Sequence, residues 1–293
     1  MSLSRKSGLL SATGHGIRSA FSWRLILLWI LFLAIPTLLV VIPQWFQLKP
    51  MIGYSVEADS WASGLSVPMI GDLLMAIGRN NGSPLPNGGL STLITLLLSP
   101  LLTGMLVTQL RQGHALGFRE LIQGGIAEYG RLFRLMLVSI IPMGIAFGIA
   151  AAAVSAAGDA ADEAIYSSDA DFAKNLSLIF SGIVLLLAHS TVEAGRAQFA
   201  VDGRLRSAFR AWWRGLKLLL RRPVAVLGVY LLTTIISLLA ALLFVTLRIH
   251  VSAVGTVGFL LAILCTQLIV ASVCWGRIAR LGGLARLVNT GSR

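Results

Sequence analysis

His189, Ser190, Thr191, Glu193 and Arg196 close an apolar run, and they are the side chains best placed to do chemistry. His189 and Glu193 are four residues apart and share a helix face, and Glu193 and Arg196 are three apart. An ionisable group inside a membrane span is a functional candidate by default. One reading is a proton relay or a substrate-contacting pair. The other is a polar clamp that pins this span to the helix that follows it. The clamp is favoured, because Glu193 and Arg196 sit near the interface and can satisfy each other.

A second group follows in the stretch Thr191–Pro223, which holds eight of the 24 Lys and Arg residues. Arg204, Arg206, Arg210, Arg214, Lys217, Arg221 and Arg222 lie on or beside the polar face of a helix expected over about 202–222. Trp212 and Trp213 suit the headgroup zone. Such a helix binds phosphate headgroups, at about 1 kcal/mol per basic residue near an anionic surface; an acidic protein partner is the second reading. Asp202 with Arg206, and Glu128 with Arg131, read as ordinary exposed helix-face pairs.

The remaining candidates are weak. Cys265 and Cys274 are nine residues apart, so on one helix they face opposite sides and make no metal spacing. The acidic segment 157–174 reads as a solvated face. Thr266 and Gln267 are candidates for hydrogen bonds between helices. No nucleophile elbow, zinc-protease, phosphate-loop or paired-cysteine motif occurs, so neither an enzyme nor a cofactor or metal site is expected.

The elements that position these groups follow from hydropathy. Of 293 residues, 56% are hydrophobic and 12% charged, with a mean hydropathy of +0.82. That is about half the charge of a soluble domain. The expected class is an all-α integral membrane protein, a single polytopic domain over residues 1–293. Six transmembrane helices are expected at about 25–46, 91–110, 135–156, 175–196, 223–246 and 256–276. The first follows a basic start, but its apolar run is too long for a signal peptide's core. Two amphipathic helices, at about 115–134 and 202–222, lie between spans. The outer loop, 47–90, carries a short amphipathic pattern at Ile70, Leu73, Leu74 and Ile77. Gly144 and Gly148 are expected to let span 3 approach a neighbour closely.

Charge sets the orientation. Twenty of the 24 Lys and Arg fall on the side of both termini and of the two basic connections, with four of the twelve acidic residues. The positive-inside rule makes that side cytoplasmic, so both termini are cytoplasmic. The net charge of +12 is then a matter of topology and anionic lipid, and no nucleic-acid role is expected. Arg outnumbers Lys twenty to four, which suits a GC-rich bacterial gene and an inner-membrane location.

The two amphipathic patterns echo each other. Phe118, Leu121, Ile122, Gly125, Ile126, Tyr129, Leu132 and Phe133 recur 87 residues later as Leu205, Ala208, Phe209, Trp212, Trp213, Leu216, Leu219 and Leu220. Arg119 meets Arg206 and Arg134 meets Arg221 under the same shift. An internal repeat of helix plus span hairpin accounts for this, with residues 9–24 as an eroded third copy. The ordinary 3.6-residue period of any two interfacial helices accounts for it too.

The string from Glu193 to Ala208, the Arg221-Arg222-Pro223 that ends the helix, and the string Gly125 to Leu132 resemble a group of uncharacterised bacterial six-span inner-membrane proteins. A looser likeness is to the membrane domain fused to some glycerophosphodiester phosphodiesterases. The chain lacks their hydrolase barrel and acidic metal motif, so that activity is not implied. The expected function is a non-enzymatic scaffold or accessory subunit that binds membrane lipids, a protein partner or a second copy of itself. The alternative is a permease-like component working with a separate ATPase, favoured by the prolines Pro36, Pro100 and Pro142 within spans.

Overall fold

The computed structural model describes residues 11–17, 20–52, 71, 75, 88–164 and 166–291, and among these every regular element is helical. A short helical segment, 11–17, precedes α1 (Trp23–Ile52). Then come α2 (Gly88–Gln112), α3 (Phe118–Asp162), α4 (Ser167–Val201), α5 (Ala208–Arg221), α6 (Pro223–His250) and α7 (Gly255–Gly291). All but α5 are long and apolar enough to cross a membrane, which gives six candidate spans. The short pattern expected at Ile70–Ile77 falls on residues outside those described.

The helices overrun the expected spans. α3 has 45 residues, or about 68 Å at 1.5 Å per residue, more than twice a hydrocarbon core of about 30 Å. The separate helix expected at 115–134 is therefore not separate, because nothing between Phe118 and Pro142 breaks the backbone ladder. Its start is fixed by a turn at Gly113, whose φ of +73° ends α2 in the left-handed region open to glycine. The Gly117 N–H then donates to the Glu120 carboxylate at 2.8 Å. The helix expected at 202–222 is shorter, since residues 202–207 form a turn and Ser207 caps α5 by accepting from the Arg210 N–H at 3.3 Å. Pro223, with no N–H to donate, separates α5 from α6. The basic segment after Gly276 belongs to α7, and its Ile278, Leu281, Leu284 and Leu287 are buried.

The core sits at one end of the bundle. Its largest buried side chains are Leu25, Trp29, Leu102, Met105, Leu106, Leu121, Leu135, Phe199, Ile278, Leu281 and Leu284. The other halves of the spans expose rows of large apolar groups, such as Leu31, Leu38, Ile140, Ile145, Leu178, Leu239 and Leu260. In water such rows would be unstable, and lipid removes that cost. The dense end holds α5, the segment 11–17 and most of the arginines.

Three crossings at the dense end have matching geometry. A Cβ built on Gly124 of α3 would lie 2.5 Å from the Thr108 side chain of α2. One on Gly195 of α4 would lie 3.5 Å from the Ala211 carbonyl of α5, and one on Gly283 of α7 would lie 3.3 Å from the Ala12 carbonyl. One helical turn away, Gly104 faces Glu128, Thr191 faces Gly215, and Ala279 faces Gly16. A small residue on at least one side of each point lets the crossing helix touch the end of a span. Gly144 and Gly148 do not take the expected part, since no atom of a neighbour comes within 4 Å of where their Cβ would be. Ala146, Ala150 and Ala157 are the buried small residues in that half of α3, and the Ser181 hydroxyl donates to the Ala150 carbonyl at 3.4 Å.

Candidate functional site

Three charged assemblies occupy the dense end. The first centres on Glu128, which the sequence presents as half of an exposed pair. It is buried, and its carboxylate accepts from Arg131 at 2.7 Å and from Arg111 at 2.8 Å. Both arginines then reach beyond α3. Arg111 donates to the Phe199 carbonyl at 2.7 Å, and Arg131 donates to the carbonyls of Leu205 at 2.6 Å and Asp202 at 3.0 Å. Arg131 also lies 4.8 Å from the centroid of the Phe199 ring. The arrangement ties α2 and α3 to the turn between α4 and α5. Arg111 escapes a sequence reading because its partner is seventeen residues away, across the turn that ends α2.

The second centres on Glu193, whose side chain is only 2% exposed. Arg196 donates to it at 2.6 Å, and His189 Nε2 lies 3.8 Å away. The expected clamp to α5 is not made here. Glu193 faces α7 instead, where Arg280 Nη2 is 3.8 Å from its Oε1. His189 shares a 2.7 Å hydrogen bond with Tyr230 of α6. Arg280 donates to Thr234 at 3.1 Å and sits over the Tyr230 ring. Beside it, Arg277 donates to Ser99 of α2 at 3.2 Å and lies 5.4 Å from the Trp29 ring centroid. Side chains from α1, α2, α4, α6 and α7 therefore meet at one place. The clamp to α5 is made by Thr191, whose hydroxyl accepts from Trp212 Nε1 at 3.1 Å.

The third assembly is the outer surface of α5. Arg204, Arg206, Arg210, Arg214, Lys217, Arg221 and Arg222 are all exposed. Arg214, Lys217, Arg221 and Arg222 line a cleft of about 440 Å³ with Gln198, Leu218 and Val288. Asp202 pairs with Arg214 at 3.1 Å and not with the expected Arg206, because Asp202 lies in the turn and not on the helix. Burial, the largest single influence, raises the Asp202 carboxyl. The Arg204 N–H and the Arg214 guanidinium outweigh it and hold the carboxyl below the usual aspartate range. Trp213 is exposed, stacks on Phe209 and has Lys217 Nζ at 5.6 Å from its ring centroid, whereas Trp212 is half-buried.

Elsewhere, the Thr266 hydroxyl donates to the Ala262 carbonyl within its own helix and not to a neighbouring helix. Cys265 and Cys274 are free thiols. Among the described residues no group of three or more His, Cys, Asp or Glu side chains is gathered for a metal ion. No protein-family model, curated protein or solved structure matches the chain.

Proposed function

We propose that this protein is a non-enzymatic scaffold or accessory subunit of a bacterial inner membrane, holding anionic phospholipid headgroups on α5. The cleft lined by Arg214, Lys217, Arg221 and Arg222 carries this reading. Its walls offer four cations and its floor offers Leu218 and Val288, which suits a phosphate joined to an acyl chain. Exposed Trp213 and Phe209 beside it suit the headgroup layer. The charge asymmetry then puts the dense end in the cytoplasm, with α5 and the first turns of α3 as interfacial helices. Membership of the six-span bacterial group belongs to the same proposal.

The three matching crossings support an internal repeat of three units, each a crossing helical stretch followed by a span hairpin, the second stretch being the start of α3. Thr108, Gly195 and Gly283 are 87 and 88 residues apart, and Gly124 and Ala211 are 87 apart. The third crossing joins the segment 11–17 to α7, so the units close into a ring.

The substitution R214Q/K217Q/R221Q tests the headgroup reading. At about 1 kcal/mol per residue it should weaken retention of phosphatidylglycerol on the order of 100-fold. Native mass spectrometry from mixed-lipid nanodiscs reads this directly, and unchanged retention sinks the reading. A permease-like component remains the second reading. Its support is that α5 bonds to α4 through Trp212 and Thr191, so a partner pressing on α5 moves a span. Recovery of a stoichiometric ATPase with the protein, lost in the same variant, would favour it.

A further inference from the structure

The Glu193 assembly is unbalanced in charge. Arg196, Arg277 and Arg280 bring three guanidiniums, which stay protonated in proteins, and Glu193 is the carboxylate among them. Burying unpaired charge in a bundle is costly, so such a cluster calls for a counter-ion. Glu193 is already engaged by Arg196 at 2.6 Å, which leaves Arg277 and Arg280 to be neutralised.

Hydrogen-bond capacity is unbalanced in the same direction. Each guanidinium is a planar fork of N–H donors. Among the described residues, Arg280 has Thr234 and the more distant Glu193 as acceptors, and its buried Nε has no partner. Arg277 has the Ser99 hydroxyl and the face of Trp29. Arg277 and Arg280 are one turn apart on α7, and two forks with few acceptors fit an oxyanion, whose several oxygens can accept from both. His189, 35% exposed at its side chain, is more open than Glu193, Arg196 or Arg280, and it is held by Tyr230.

The structure assigns an oxyanion-binding site to the Arg277 and Arg280 guanidiniums, beside Glu193, that takes a phosphoryl group. The group comes from free phosphate or from a lipid headgroup entering between spans. The site is inside the bundle, on different residues from the α5 cleft, and it stands or falls independently of that reading.

The experiment uses full-length protein carrying R214Q/K217Q/R221Q, so that the α5 surface does not contribute. Inorganic phosphate is titrated into neutral-lipid nanodiscs at fixed ionic strength, with chloride as the control. Stabilisation against thermal unfolding by phosphate but not chloride is the expected result, and it identifies free phosphate. Stabilisation only in nanodiscs containing phosphatidylglycerol identifies the headgroup. In either case R277Q/R280Q should weaken binding at least about tenfold, from the loss of charge-assisted bonds. Glu193→Gln should strengthen binding, because it removes the competing carboxylate; a purely structural cluster predicts lost stability and no gain in binding. If neither phosphate nor phosphatidylglycerol stabilises the protein, or if chloride does so equally, the site is overturned. Should R277Q/R280Q not fold, the Glu193→Gln titration decides alone.

Discussion

Gly215 of α5 lies against Gly195 of α4 so closely that a Cβ on Gly215 would be 2.5 Å from the Gly195 nitrogen and 2.8 Å from the Thr191 carbonyl. Both obstacles are backbone, which cannot rotate aside. Gly215→Ala gains about 1 kcal/mol in helix propensity but incurs about 1–3 kcal/mol of overpacking, and the rigid contact makes the second effect win. The melting temperature in detergent should fall, and the Trp212–Thr191 hydrogen bond should break, with a red shift of tryptophan emission. Gly130→Ala is the control. No neighbour lies within 4 Å of its Cβ, so it should be neutral or stabilising.

Glu128→Ala leaves Arg111 and Arg131 without their carboxylate in a mostly buried setting. Breaking such a pair costs on the order of 3–5 kcal/mol. Because both arginines also hold the turn between α4 and α5, protease cleavage should appear first at residues 202–207. Hydrogen exchange in that turn should rise by a similar free energy. A variant with native exchange there would show that the carbonyl bonds of Arg131 suffice by themselves.

Acid should loosen the same turn through Asp202. Its folded pKa lies below the ordinary value, so it stabilises the fold at pH above about 3.9 and loses that contribution as the pH falls through the folded pKa. Asp202→Asn should therefore lower the melting temperature slightly at pH 7, and the two curves should converge in acid. Half the Arg214 side chain is exposed, so added salt should also shrink the difference.

The spans were legible in the sequence because lipid imposes a coarse rule, about twenty apolar residues, that neighbours do not alter. Glu193 and Arg196 were legible for a similar reason, since three residues on one helix fix their meeting. The partners of Glu128 and Glu193 on other helices were not. Arg280 reaches Glu193 across 87 positions of chain, and no local spacing records how α7 packs on α4. The extent of the helices was also hidden. A polar turn between residues 134 and 135 and a continuous α3 have the same hydropathy, and only the unbroken backbone ladder distinguishes them. Gly144 and Gly148 mark the same limit, as a glycine permits close approach without saying which face will be used.

That the buried core gathers at one end has a consequence for the bilayer. At the other end the spans bury mainly small side chains, such as Ala150, Ser181 and Ala241, and turn their large ones outward, where acyl chains would meet them. A change in lipid length or unsaturation around that end would therefore act on the helix tips while the arginine networks hold their roots. On the three-unit reading proposed above, the membrane would set how far the hairpin tips stand apart.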